Sequence, residues 1–389
     1  MRSSVRICAP RFMTVGKGAL DGIPVILTRM GGVRNPLIVT DAFMVSSGVA
    51  GRVQELLISV GLTSAVFDKV LPDPTDTIVL AGIEMLEAGG HDAVIGLGGG
   101  SPIDAAKAIA VMAAGSRDIQ DYRPPKQSDE AGLPMLAIPT TAGTGSEVTH
   151  HAVIIHDATR EKISCRGEGF VPTAAIVDYE LTLSKPRRLI ADNGLDTLTH
   201  AIEAYVSRKA TLYSDRLALD CMRLVAGNLD AAYRDPENMS AREALMLAAT
   251  FGGLAFSNAS IALVHAMSRP LGSLFHVPHG MSNAMLLPSV TAYSKSDALG
   301  RYADCARVIG MAGDKDSDAA AADALVEGLY AYNQRLDVPT LSGFGIDRNA
   351  YLTAAGKMAE DAVRSGAPAN NPRIGNVEEI TDLYNKAWA

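Results

Sequence analysis

Cysteine is sparse in this sequence and never clustered. Cys8, Cys165, Cys221 and Cys305 lie far apart with no C-x-x-C spacing. That argues against a disulfide framework and fits reduced thiols in a cytoplasm. Positive charge is short as well: 35 Lys and Arg face 43 Asp and Glu, a net charge of −8. The balance disfavours a nucleic acid or an anionic membrane surface as partner. Long apolar runs are missing. The longest apolar region, Ala244–Phe256, is too short to cross a bilayer. Arg2, Arg6 and Arg11 give the N-terminus a faint likeness to a mitochondrial presequence, but no apolar segment accompanies them, so no secretory signal is read. Repeats and low-complexity stretches are absent too.

What is present suits two domains. The chain has 389 residues, 48% of them hydrophobic, enough for a large core. Short, β-branched, nearly continuous apolar runs occur at Pro36–Thr40, Ala65–Val70, Ala93–Leu97, Met135–Ile138 and Ala174–Val177, as buried parallel strands require. Helical stretches fall between them, at Ser47–Val60, Thr75–Ala88 and Pro102–Ala114. The alternation predicts an α/β domain with an open parallel sheet over residues 1–185. Ala152–Asp157 and Lys162–Cys165 read as an appended hairpin. A boundary falls at Ser184-Lys185-Pro186, beyond which helical patterns dominate, so residues 186–389 are expected to be all-α. There Ser240–Glu243 reads as a capping box ahead of Ala244–Phe256. Ser214–Leu229 and Ser317–Leu336 carry apolar stripes at helical spacing that read as packing.

Three stretches of the first half carry chemistry. Asp92–Lys107 runs from a strand into Gly98, Gly99, Gly100 and Ser101, with Pro102 opening a helix. Glycines let backbone approach a pyrophosphate, and the helix start supplies free N–H groups and a positive dipole end. A plain structural turn is the competing reading. Asp104 and Lys107, at i and i+3, either pair on the helix surface or serve the cofactor. Pro139–Thr149 offers Thr140, Thr141, Thr144 and Thr149 with interspersed glycine, either as hydrogen-bonding partners for a cofactor or as an ordinary turn. Asp41, directly after a strand, is placed to accept from ribose hydroxyls and to repel a 2′-phosphate, which favours NAD over NADP. Asp73 is expected to cap the helix that follows it.

The second half concentrates histidine. Of eight in the chain, His265, His276 and His279 crowd into Val264–Gly280, and Asp196 and His200 stand at i and i+4 upstream. A helix places the latter two on one face. One carboxylate with two or three imidazoles suits Fe²⁺, Zn²⁺, Co²⁺ or Ni²⁺, and the lack of cysteine argues against a structural zinc. The bland alternative makes Asp196, His200, Glu203 and Ser207 a solvated helix face opposite Leu198, Ile202 and Tyr205. Pro and Gly in Arg269–Gly280 predict a loop or broken helix.

Taken together, G-G-G-S-P-x-D-x-x-K, P-T-T-A-G-T-G-S-E-V-T, D-x-x-x-H and the later H…P-H-G resemble the iron-containing (group III) alcohol dehydrogenase family, from about residue 12 to about 385. The resemblance implies the dehydroquinate synthase-like architecture, a dinucleotide-binding α/β domain followed by a helical metal-binding domain. It implies Asp196, His200, His265 and His279 as metal ligands, iron or alternatively zinc as the metal, and His276 as pocket lining. It also implies cofactor contacts at Asp104, Thr140, Thr141, Thr144, Thr149, Lys162 and Leu181. The activity implied is reversible hydride transfer between a small alcohol, diol or hydroxy acid and NAD, in a homodimer or larger homo-oligomer, with the site expected in the cleft between the domains. A dehydroquinate synthase-type lyase and a non-catalytic NAD- or metal-binding regulator are the alternatives. Three positions depart from the family pattern. Asp73 stands where the family usually carries Asn beside the adenosine. Arg269 stands where many relatives carry a second histidine, and either reads an anionic group on the substrate or pairs with a local acid or the cofactor pyrophosphate. His150-His151 replaces an apolar or aromatic residue and receives no role.

Overall fold

The structure, a computed structural model, describes residues 4–388; Arg2 lies outside them. Arg6–Ser184 forms one compact unit and the chain from Lys185 onward another.

In the first unit, strands β1 (Phe12–Val15), β2 (Pro36–Val39), β3 (Ala65–Phe67), β4 (Ala93–Gly98), β5 (Met135–Pro139) and β8 (Ala174–Val177) make one sheet. Its order is β1-β8-β5-β4-β2-β3, with every pairing parallel. Strands β6 (His151–His156) and β7 (Glu161–Arg166) form the separate antiparallel hairpin. Side chains alternate across the sheet. Leu37, Val39, Val94 and Ala137 pack with Ile83, Ile109, Ile154 and Ile163 on one face. Ile38, Ile95, Leu136 and Ile176 pack with Ile26, Leu27, Val53 and Leu57 on the other. Both faces are covered, which explains why the strands read as continuous apolar runs.

The helices of this unit are α1 (Ile23–Met30), α2 (Ala42–Ser46), α3 (Val49–Ile58), α4 (Asp76–Ala88) and α5 (Gly100–Ala114). The helix expected over Ser47–Val60 is α3, which starts only after Gly48 because that residue adopts a left-handed conformation at φ 82°; the short α2 ahead of it was not expected. Helix α5 begins two residues before Pro102, on Gly100, so the glycine turn itself supplies its first N–H groups. Thr75, not Asp73, caps α4 by accepting from Ile78 N–H.

The second unit is helical: α6 (Arg187–Val206), α7 (Leu212–Arg234), α8 (Met239–Ser257), α9 (Leu263–Phe275), α10 (His279–Ser294), α11 (Leu299–Val308), α12 (Asp318–Arg335), α13 (Arg348–Arg364) and α14 (Val377–Ala387). Helix α8 starts before the expected capping box; Asn238 caps it by accepting from Ala241 N–H. The capping box of this region belongs to Thr211 and Ser214 at the head of α7. Helix α6 is central and buried nearly all round from Ile190 onward, so its polar residues are enclosed with their partners. Among the described residues no helix is long and apolar enough to cross a membrane.

Candidate metal centre and cofactor loops

Three helices bring four polar side chains to one point. Asp196 and His200 come from α6, His265 from α9, and His279 is the first residue of α10. The break between α9 and α10 is short. His276 takes a left-handed conformation at φ 56°, Val277 is buried, and Pro278 precedes the new helix. Of the loop or broken helix expected over Arg269–Gly280, the structure has the broken helix, with Arg269 inside α9 and the exposed His276 as its C-cap.

One carboxylate oxygen is the hub. Asp196 Oδ1 lies 3.5 Å from His265 Nε2, 3.7 Å from His279 Nε2 and 3.9 Å from His200 Nε2. The ligand atoms of Asp196, His265 and His279 lie within 4.8 Å of one another. Ligands held about 2.1 Å from an ion in a tetrahedron stand about 3.4 Å apart, so the spacing fits a small divalent cation. The donor types fit as well; His200 stands outside this mutually close group of three and approaches it through Asp196 Oδ1. Asp196, His200 and His265 are buried, whereas the His279 side chain is 48% exposed, so the cluster opens on the His279 side.

The charges within the cluster shift one another strongly. Burial pushes the Asp196 carboxyl up, but His200, His279 and His265 together reverse this and hold it well below the usual carboxylate range. Burial pushes His265 down, yet Glu203 and Asp196 outweigh it and lift the imidazole to about 9. Without an ion, a buried carboxylate can stay charged only beside protonated imidazoles. A divalent cation replaces those protons.

Sequence reasoning missed the residues that hold this cluster in place. Glu203, assigned there to the solvated-face alternative, is buried and lies 2.6 Å from His265 Nδ1 through Oε2. Asn283 on α10 is fully buried and donates from Nδ2 to Asp196 Oδ1 at 2.6 Å, with His265 Nε2 3.1 Å away. Ser268 Oγ lies 3.4 Å from His279 Nδ1. His200 is stacked between Phe256 and His265, with ring centroids 4.4 and 4.6 Å away. A signal existed for Glu203: it stands seven residues after Asp196 and three after His200, on the same helical face.

In the first unit, the carboxyl ends of β2, β4 and β5 gather the cofactor candidates. The chain leaves β2 toward β3 on one side and returns to β4 on the other, and such a switch point is where open α/β sheets bind ligands. Asp41 caps α2 there, accepting from Met44 N–H. A side chain on Gly98, whose φ is 147°, would come within 3.5 Å of Asp41 Oδ2 and 2.6 Å of Pro102. One on Gly100 would meet Thr144 at 3.0 Å, so bare backbone is what lets these loops close up. Thr141 lies beside Gly99. Thr140 N–H donates to Gly98 carbonyl at 2.8 Å, while its hydroxyl is buried without a partner among the described residues.

The other expected contacts have protein partners of their own. Lys107 is buried and donates to Thr149 carbonyl, Thr149 Oγ1 and His151 carbonyl at 2.8–2.9 Å. Asp104 accepts from Ser146 Oγ at 2.6 Å and Val153 N–H at 2.9 Å. The surface pair read as one alternative for Asp104 and Lys107 is therefore corrected to two separate struts under the threonine loop. Lys162 pairs with Asp73 at 2.9 Å, Asp73 N–H donates to Ser101 Oγ at 3.3 Å, and Leu181 is buried in the apolar layer.

Known proteins share this chain's sequence pattern and fold. Residues 10–179 match the model of the iron-containing alcohol dehydrogenases, and residues 190–388 match that of the C-terminal part of the Fe-containing alcohol dehydrogenase family. The chain is 36% identical to an NAD-dependent methanol dehydrogenase of Bacillus methanolicus, over 97% of this chain and 98% of the relative. It is 35% identical to a lactaldehyde reductase of Escherichia coli (strain K12), over 96% and 97% respectively. The crystal structure of a 1,3-propanediol oxidoreductase superposes with a TM-score of 0.95 at 33% identity, covering 99% of this chain and all of that one. With both halves matched by family models and near-full-length relatives above 30% identity, the protein belongs to the iron-containing alcohol dehydrogenase family.

Proposed function

We propose that the protein oxidises a small alcohol to its aldehyde or ketone with NAD as hydride acceptor, and runs the reverse reduction. We further propose that Asp196, His200, His265 and His279 hold a divalent ion, Fe²⁺ or in its place Zn²⁺. The observation that carries the reading is the convergence of three imidazole Nε2 atoms on one buried carboxylate oxygen. When bound, the ion supplies Lewis acidity that lowers the pKa of the alcohol hydroxyl, and the nicotinamide accepts the hydride. The protein's own part is to aim four donors at one point and to keep that point dry on all sides but the His279 side. Asp41, Gly98, Gly99, Gly100, Ser101, Thr140, Thr141 and Thr144 are the residues we assign to the cofactor. Asp104, Thr149, Lys162 and Leu181 we assign to the cofactor as well, with Lys107 bracing the threonine loop from beneath. Support for NAD comes from the Asp41 carboxylate at the end of β2, which disfavours a 2′-phosphate, and from the NAD-dependent relative.

Arg269 narrows the substrate. It lies one helical turn from His265, is half-buried, and makes no hydrogen bond or ion pair among the described residues. Burial lowers its pKa, opposed by the charge of Glu203. A partly desolvated guanidinium without a bonded anion is matched by a carboxylate, sulfonate or phosphate on the substrate.

The test is a panel of short alcohols, diols and hydroxy acids with NAD and with NADP, on protein of known metal content, read by NADH absorbance. Net NADH formation with at least one alcohol is expected; cofactor binding without net NADH from any of them sinks the dehydrogenase reading. Arg269→Ala should raise KM for anionic substrates by roughly tenfold or more, the worth of a charge-assisted contact, and leave neutral alcohols nearly unchanged. An equal rise for both classes removes the anion assignment.

A further inference from the structure

Resting on the four-residue metal reading above, we propose that Glu203 is a positioning residue that fixes His265 with its proton on Nδ1 and presents the bare Nε2 lone pair to the ion. The Glu203 carboxylate is itself immobile. Oε1 accepts from Val264 N–H at 2.6 Å while Oε2 faces His265 Nδ1 at 2.6 Å. Both partners are adjacent residues in the first turn of α9, whose N-cap, Ala262, has no side-chain cap. Val264 N–H is therefore one of the donors that a helix start leaves without an intrahelical partner. Glu203 supplies the acceptor and places negative charge at the positive end of the helix.

One carboxylate thus ties the helix start and the imidazole together: the Val264 bond through Oε1 holds the carboxylate in place, and Oε2 faces the ring. Asp196 Oδ1 and Asn283 Nδ2 lie 3.5 and 3.1 Å from Nε2. A carboxylate behind a ligating imidazole also raises its basicity and its grip on a cation.

A plain helix cap would use the same Val264 bond, and Glu203→Gln separates the two roles. Glutamine can still accept from Val264 N–H through its carbonyl oxygen. Toward His265 it offers only NH₂, which moves the ring proton to Nε2 or turns the ring away. Zn²⁺ affinity is measured on the full chain by competition with a chromogenic chelator, alongside the melting temperature of the metal-free protein. E203Q is expected to bind Zn²⁺ about 10- to 100-fold more weakly while its metal-free form melts close to wild type. Glu203→Ala should lose metal affinity and metal-free stability together. Equal Zn²⁺ affinity in E203Q and wild type overturns the proposal and leaves the metal reading standing. A wild type that binds no divalent ion overturns both. Should E203Q not fold, ¹⁵N shifts of His265 in the zinc-loaded wild type decide. A protonated Nδ1 with zinc on Nε2 is expected, and the reverse assignment overturns it.

Discussion

His150 stacks on His151 with ring centroids 4.2 Å apart. Burial, with help from Lys107 and Arg166, lowers its pKa from 6.5 to about 4. The sign of its contribution follows from linkage. Above pH 6.5 the ring is neutral in both folded and unfolded chains; between 6.5 and about 4 the unfolded chain binds the proton and the folded one resists it. Stability therefore falls as pH drops through that window and the loss levels off below it. His150→Gln should flatten the melting temperature against pH across the same window, and parallel curves for variant and wild type would mean that His150 takes up its proton in the fold. Lys107 makes a second case at this scale. Lys107→Met removes the donor from two buried carbonyls and the Thr149 hydroxyl. The expected cost is on the order of 3 kcal/mol, measured by urea unfolding. A cost under roughly 1 kcal/mol would show that water or the backbone takes over those acceptors.

At the scale of elements, the first turn of α10 is pressed onto α6. A side chain added at Gly280 would stand 2.3 Å from Asp192 carbonyl oxygen and 3.3 Å from Asp196 Cβ. The blocking atoms are mostly backbone, so relief must come from moving one helix away from the other. His279 is the neighbouring residue, and the shift would carry it away from Asp196. Gly280→Ala is expected to cost roughly 1–3 kcal/mol of stability and to weaken Zn²⁺ binding, read by thermal melts with and without the ion. Unchanged metal affinity would show that α10 can slide without disturbing the ligands. This contact also shows what a sequence can and cannot reveal. The parallel strands β2, β4, β5 and β8 were legible because each is buried on both faces and so is apolar at every position. β1 was not, since Met13 and Val15 are exposed and only four residues pair along one edge of the sheet. The four metal candidates were legible through a helical i, i+4 pair and a cluster of scarce histidines. Glu203 and Asn283 were not, because periodicity gives the face a residue occupies and says nothing of what that face meets. Asp104 and Lys107 showed their spacing in the sequence, but the loop each supports lies about forty residues away.

At the scale of the whole molecule, the two units offer two ligands separate handles. The ion would join α6, α9 and α10, three helices held otherwise by side-chain packing and the Glu203 and Asn283 bonds. Anything that binds the folded chain alone stabilises it by mass action, about 4 kcal/mol when free ligand is a thousandfold above its dissociation constant. The dinucleotide would act instead on the ends of β2, β4 and β5. Hydrogen exchange on the full chain should therefore give two distinct footprints. Zn²⁺ should slow exchange in peptides covering Asp196–Glu203, the first turn of α9 and the start of α10. NAD should slow it at Gly98–Ser101 and Thr140–Thr144. Asp196→Asn removes the hub oxygen's charge, so it should erase the first footprint while leaving the second. The same variant should be inactive with every alcohol, since no ion would be held to polarise the hydroxyl. If NAD protects only peptides of the second unit, the assignment of the glycine turn to the cofactor fails, even with the metal cluster intact.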